Sequence, residues 1–486
     1  MSRHETDAKA LKIAKTLRNA DNWKHLARWH GDGYYELRTE DTGDVPVRLF
    51  LTPSLLNDAE ETLYCQIVNA TRFPGVKMVV ITPDTHYGYG VPVGCVLITD
   101  AESGAVAMGP VGYDIGCGMM SARSVVSADA ATPEKKLAFN RAVMERVAMG
   151  AGGKSQRLGS VNPTEFNNLV RGGAEYYVEK YGAKFDRSRA ERHRIPVDDD
   201  WQIPFGGKGR PERGMDQLGS LGGGNHFIEL QRAEELGTLF VQVHTGSRGF
   251  GHGLATNYFE LAREERPDAI TDIDLGYFTP DSRHYKAYLN AVAAGGNYAI
   301  LNRLIIFEQV AEAFRAVFGD ELELIYEISH NLVQKEWHPA FGDVWVHRKG
   351  ATRAFPAGHP ALQGTFWEET GHPVLIPGSN KDYSYILRPL PGAERSGYSV
   401  NHGAGRRLSR SAANRTLSQR TIDDEYAAAG ILVNIDGHVP LDEAAPAYKS
   451  SEEVIKAVVG ANLAEIEFTL WPLASLKGTD EGKGKR

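Results

Sequence analysis

A chain of 486 residues is long enough for one large domain or two to three ordinary ones. Its apolar fraction of 42% and charged fraction of 24% are those of a soluble globular protein, and only three cysteines exclude a disulfide framework. The net charge of −8 argues against indiscriminate coating of nucleic acid, yet leaves room for a local basic patch.

In chain order, residues 1–45 read as a polar N-terminal extension, partly helical and without a continuous apolar run. No signal peptide is expected, and no stretch approaches the roughly 20 apolar residues of a membrane span. A cytoplasmic location with no membrane partner follows as the expectation. Residues 55–71 carry apolar positions at helical spacing. Thr132-Pro133-Glu134 offers an N-cap, a first-turn proline and an early acid, so a helix is predicted from there to about Met149. Further helices are predicted over 163–182 and over 283–317, the second broken near Gly295-Gly296. Residues 185–215 form a charged, Pro- and Gly-rich surface insertion, and 479–486 a solvated tail. The fold expected is α+β, one large domain over 46–478 with a mixed central sheet and flanking helices.

The strands carry the functional signal. Short β-branched runs at 76–82, 238–243, 322–328, 373–376 and 397–400 each lead into a polar or glycine motif: PDTHYGYG, HTGSRGFGH, SHNL, PGSNKDYSY and NHGAGR. Strand ends that deliver such loops place chemistry on a rigid scaffold. Five of them predict one shared site at one edge of the sheet.

Cys117 stands apart from the other two cysteines. Cys65 and Cys95 have apolar neighbours and read as structural, whereas Cys117 sits in VGYDIGCGMM between two glycines, three residues after Asp114. His226, His244, His330 and His402 all lie in strand-end or glycine motifs. A thiolate, a carboxylate and several imidazoles suit a first-row divalent ion. With Cys117 bridging two ions, Asp114 and His226 complete one site, and His244 and His330 the other. A lone histidine beside a strand is more often structural, and the D-x-x-C spacing alone is weak; the joint pattern carries the reading. His4, His25, His30, His193, His284 and His438 lack this context and are read as structural.

NHGAGRRLSRS places a histidine at a strand end ahead of Gly-Ala-Gly and a helix, where backbone N–H groups favour anions. A plain strand–turn–helix corner is the competing interpretation. His402 to Gln419 contains Arg406, Arg407, Arg410 and Arg415 and no acid. Arg348, Lys349 and Arg353 in RKGATRAFP are read as phosphate grips.

Together PDTHYGYGVPVG, GYDIGCGM, GGGNHFIEL, HTGSRGFGH, ISHN, HRKGATRAFP, PGS, HGAGR and a terminal LKG resemble the RtcB-type RNA ligases. The resemblance covers about residues 45–478. It implies a single α+β domain that uses GTP and two manganese ions to join RNA ends bearing a 3′-phosphate, or a 2′,3′-cyclic phosphate, and a 5′-hydroxyl. The RNA would be tRNA halves or other broken RNA, with archease as a helper protein. It implies that Asp114, Cys117, His226, His244 and His330 hold the metals and that His402 is the guanylylated nucleophile. Asn225, His226, Phe227, Ile228, Glu229, His330, Asn331, Pro377, Gly378, Ser379, Asn380, Ser384, His402, Gly403, Ala404, Gly405 and Lys477 would contact the nucleotide, with Tyr448 stacking on the base. Glu229 and Lys477 would contact the guanine. The chain departs from the family pattern after PGS, where Asn380-Lys381 replaces Met-Gly, and at Asn401 in place of Ser. A metal-dependent cyclic-phosphate phosphodiesterase and a non-catalytic RNA-binding paralogue are the alternatives.

Overall fold

In the computed structural model, which describes residues 17–190 and 194–478, the run at 76–82 lies within the strand Val76–His86. Met78 and Val80 pack on one side with Val96, Ile98 and Val346; Val79 and Ile81 pack on the other against Leu55, Leu56, Ile67 and Val68. A strand buried on both faces has no polar alternation, which is why the run is continuously apolar. It belongs to a seven-stranded sheet in the order 28–30, 34–37, 47–49, 76–86, 93–100, 342–349, 331–338. The 47–49/76–86 pair is parallel and its other neighbours are antiparallel, so the sheet is mixed.

The second large sheet is ordered 323–329, 118–127, 238–245, 227–233, 464–477, 384–389, 374–376, with the short strand Leu432–Val433 added in parallel to 464–477. One core cluster joins Val96, Ile98 and Val346 of the first sheet to Val374, Leu387 and Ala464 of the second. Another joins the second sheet to Phe139 and Val143 of the helix Pro133–Met144 and to Ile300, Leu304 and Phe307 of Tyr285–Phe318. The architecture is α+β.

Thr132 caps its helix as expected, its Oγ1 accepting the Lys135 N–H at 3.3 Å, but the helix stops at Met144. Residues 55–71 form two helices, Pro53–Asp58 and Leu63–Ala70. The break expected at Gly295-Gly296 does not occur: Tyr285–Phe318 is one continuous helix. The glycines serve close packing, because a Cβ on Gly295 would lie 2.9 Å from Ile115 Cγ2 and one on Gly296 2.8 Å from Ile195 Cδ1. The described part of the N-terminal segment is integrated into the fold. Trp23 is fully buried beside Tyr64, and residues 28–37 supply the edge strand of the first sheet and its neighbour. Residues 185–190 and 194–215 are largely irregular, anchored by Trp201 and Ile203 in the helical core. Residues 1–16, 191–193 and 479–486, including His4 and His193, lie outside the described residues.

Candidate metal and nucleotide site

The motif loops meet in a cavity of about 340 Å³. They come from both large sheets and from the small strand pair Ala351–Arg353/Ser399–Asn401, so the site lies where the sheets meet rather than at one edge of one sheet.

Cys117 is wedged between a helix and a strand. A Cβ on Gly116, whose φ is +77°, would lie 2.7 Å from Ala299 Cβ, and one on Gly118 would lie 2.2 Å from Ile328 O. The flanking glycines are thus required by the close approach of Tyr285–Phe318 and Glu323–Ser329. The buried Arg303 donates to Gly116 O at 2.7 Å, Thr245 O at 2.9 Å and Ser329 Oγ at 2.8 Å, and is ion-paired with the buried Glu327. Asn302 Nδ2 donates to Ser220 O and Gly246 O, each at 3.1 Å.

Two groups of ligand atoms form around the Cys117 sulfur: Asp114, Cys117 and His226, and Cys117, His244 and His330. Sγ lies 3.6 Å from His226 Nε2 and 3.3 Å from His244 Nε2; His244 Nε2 is 3.3 Å from His330 Nε2, and His226 Nε2 is 3.2 Å from Asp114 Oδ2. His226 Nδ1 faces Leu221 O and His244 Nδ1 faces Asn225 O, both at 3.1 Å. Donation from these Nδ1 atoms leaves the Nε2 lone pairs directed at the cluster, as metal-ligating imidazoles require. Burial holds His244 and His330 well below the usual histidine range, hence neutral. Burial and Asp114 push the Cys117 thiol up. Burial opposes charge on Asp114, but His226 and the Ser247 N–H outweigh it and keep the carboxyl below its usual range. A cation would remove the thiol proton and satisfy every member of this donor set, so the residues fit one or two divalent ions.

His402 stands beside this cluster, its ring centroid 4.9 Å from that of His330. Its Nδ1 lies 2.6 Å from Oδ2 of Asp84, a fully buried carboxylate. Burial works against charge on Asp84, but His402 holds its carboxyl below the usual range. Asp84 was not singled out by sequence reasoning, although its motif, PDTHYGYG, was; the acid in that motif was the available signal. Its neighbour His86 also lines the cavity, and burial together with Lys449 lowers its pKa to about 3.

Asn225, Phe227, His330, Asn331, Pro377, Gly378, Ser379, His402, Gly403, Ala404, Gly405, Tyr448 and Lys477 line the cavity. Asn331 also braces it, accepting the Gly350 N–H at 2.8 Å. Lys477 Nζ lies 5.0 Å from the Phe227 ring centroid and 3.7 Å from Glu443 Oε2. Five expected contacts are not on the cavity wall, the first being His226, which is held in the Cys117 cluster. Ile228 points to the opposite face of its strand, into the apolar core. Glu229 is buried behind the wall; burial pushes its pKa up to about 7, against Gln231, whose Nε2 donates at 2.8 Å, and Lys477. Ser384 Oγ accepts the Gly378 N–H at 2.9 Å and so shapes the turn. Asn380 bonds Tyr426 Oη and has a buried Nδ2 without a protein partner among the described residues.

Of the expected phosphate grips, only Lys349 reaches the cavity. Arg348 is buried in a two-pronged pair with Glu336, at 2.6 and 3.0 Å, and Arg353 contacts His372 and Tyr326 inside the fold. Arg406 and Arg410 line the cavity, whereas Arg407 and Arg415 are exposed. His25, His30, His284 and His438 lie away from it. Cys65 and Cys95 are buried, and burial raises the pKa of each, to about 11 and about 12.

The tRNA-splicing ligase RtcB family model matches residues 66–478. The tRNA-splicing ligase RtcB of Pyrobaculum aerophilum is 34% identical over 468 residues, covering 89% of this chain and 95% of its own. That of Thermococcus kodakarensis is 35% identical with the same coverage. The RNA-splicing ligase RtcB of Mycobacterium tuberculosis is 36% identical, covering 85% of this chain and all of its own. With every motif loop inside the matched span, the chain belongs to the RtcB family of RNA ligases.

Proposed function

We propose that the protein is a GTP- and manganese-dependent ligase that joins an RNA 3′-phosphate, or a 2′,3′-cyclic phosphate, to a 5′-hydroxyl through a guanylylated His402. The observation that carries this reading is the His402–Asp84 pair beside the Cys117 cluster. Donation of Nδ1–H to Asp84 leaves the Nε2 lone pair free as nucleophile. Nε2 would form a bond to the α-phosphorus of GTP as the bond to pyrophosphate breaks. The imidazole then passes GMP to the RNA 3′-phosphate, giving an anhydride and returning the nitrogen lone pair. The 5′-hydroxyl oxygen bonds to the RNA phosphorus, losing its proton, while GMP departs. Asp114, Cys117 and His226 would hold one ion and Cys117, His244 and His330 the other; bound there, the ions supply charge neutralisation at the phosphates.

Gly403, Ala404 and Gly405 offer backbone to phosphate oxygens, and Phe227 and Lys477 offer an apolar face and a cation to the base. Lys381, whose departure from the family pattern motivated the hydrolytic alternative, turns away and pairs with Glu425 at 2.7 Å. The same reading takes tRNA halves or broken RNA as substrate, archease as helper and the cytoplasm as location. Among the described residues no helix is long and apolar enough to cross a membrane.

The test is to incubate the protein with manganese and GTP labelled at the α-phosphate, denature it and look for label on the chain. Label on the wild type and none on His402→Ala is expected. Equal label on both would overturn the assignment of the nucleophile, and no label on either would overturn the guanylylation step.

A further inference from the structure

The cavity has an aromatic annex that the chemistry above does not use. Tyr89, Tyr113 and Phe259 line it, the Tyr113 ring stacking on Phe259 at 4.7 Å and meeting Tyr89 edge-on at 6.2 Å. Tyr89 is 54% exposed, so its ring is open to a ligand entering the cavity. Asp274 closes the annex and accepts the Tyr113 hydroxyl at 2.9 Å. A carboxylate there repels phosphate but accepts from the amino edge of a base.

Lys349 connects the annex to the reacting centre. Its Nζ donates to Tyr89 O at 2.6 Å and Val91 O at 3.1 Å, and the next residue, Gly350, abuts His402: a Cβ on it would lie 2.9 Å from His402 Cε1. Cation, aromatic rings and nucleophile thus line one cavity, with Lys349 tying the Tyr89 backbone to the strand end beside His402, so that a terminal phosphate at His402 could carry its base toward the rings. The guanine residues proposed above, Phe227 and Lys477, form a separate contact pair.

We infer that Tyr89 and Tyr113 form a stacking subsite for the terminal nucleobase of the RNA strand that bears the 3′-phosphate. The inference rests on the ligase reading of the same site. Stacking on an aromatic face is tolerant of base identity, so the subsite would grip the end without reading its sequence.

Equilibrium binding of a short RNA ending in 3′-phosphate, followed by fluorescence anisotropy, tests it without turnover. Tyr89→Ala should weaken binding by about tenfold, and Tyr89→Phe should bind as the wild type does. Replacing the terminal nucleotide by an abasic one should weaken wild-type binding by a similar factor and leave Tyr89→Ala with little further loss. An abasic penalty of equal size in both proteins, or unchanged binding by Tyr89→Ala, would overturn the subsite. Labelling of wild-type His402 reports separately on the ligase reading, so failure of one is distinguishable from failure of the other.

Discussion

A single oxygen of Asp84 meets three nitrogens, two of His402 and one of Gly403. Oδ2 lies 2.6 Å from the imidazole Nδ1 and also accepts the backbone N–H of His402 at 3.0 Å and of Gly403 at 3.1 Å. Its other oxygen accepts the Thr82 hydroxyl at 2.6 Å. Ring orientation, tautomer and the start of the glycine turn are thereby set by one buried carboxylate. Asp84→Asn should lower the rate of His402 labelling by about 10²- to 10⁴-fold and change its pH profile, with metal content unaltered. A variant that lost thermal stability but kept the wild-type profile would reduce Asp84 to a packing role.

Cys117 is the only residue shared by the two ligand groups. Cys117→Ala should therefore lose manganese from both positions, whereas His226→Ala should lose it from one. Metal per chain after equilibrium dialysis measures this directly. Two ions retained by Cys117→Ala would be incompatible with a bridging thiolate.

Arg303 and Glu327 are both fully buried and paired. Removing one charge strands the other in a low-dielectric interior. Arg303→Met should cost about 3–5 kcal/mol in denaturant unfolding, and pairing it with Glu327→Met should recover part of that loss. Near-wild-type stability of the single variant would mean that water reaches the pair.

Burial raises the pKa of Glu229 to about 7 from the usual 4.5. The folded state therefore keeps its proton over a range where the unfolded chain has lost it. The stability linked to this group is fully present below about pH 4.5 and is lost as pH rises to about 7. Glu229→Gln should flatten that slope, raising the melting temperature relative to wild type more at pH 8 than at pH 5. If Glu229 also reads guanine, the same variant loses discrimination between GTP and ATP in the labelling reaction.

Lys381 pairs with Glu425 through partly exposed side chains and does not line the cavity. Lys381→Ala should change stability by less than about 1 kcal/mol and leave GTP labelling at the wild-type rate. A large loss of labelling would show that the altered loop moves inward when nucleotide binds.

The clustering of the proposed ligands was legible because metal chemistry demands particular residue types and because each sits where a strand meets a loop. Cys117, Asp114 and four histidines are distinctive in that setting, and the structure brings them together. What was not legible depends on the third dimension. Gly295-Gly296 looks like a break locally, yet helix contacts with Ile115 and Ile195 reward the missing side chains. Arg348 and Lys349 are neighbours of similar charge, but strand alternation sends one to a buried partner and the other to the cavity. Ile228 fell to the wrong side of its strand for the same reason. The meeting of two sheets, rather than one edge, follows from long-range strand order that local patterns do not encode.

Asn302 and Arg303 are consecutive residues of one helix, and their side chains bond to Gly116, Ser220, Thr245, Gly246 and Ser329, which lie near the proposed ligands Cys117, His226, His244 and His330. Those proposed ligands come from four stretches of chain that strand pairing sets side by side and that Tyr285–Phe318 ties down from behind. A frame held by its own hydrogen bonds in this way is expected to complete its interior first and to take up metal afterwards. Ions would act as late passengers of a finished frame rather than as its nucleus, and chelator-stripped protein should stay folded and accept manganese again.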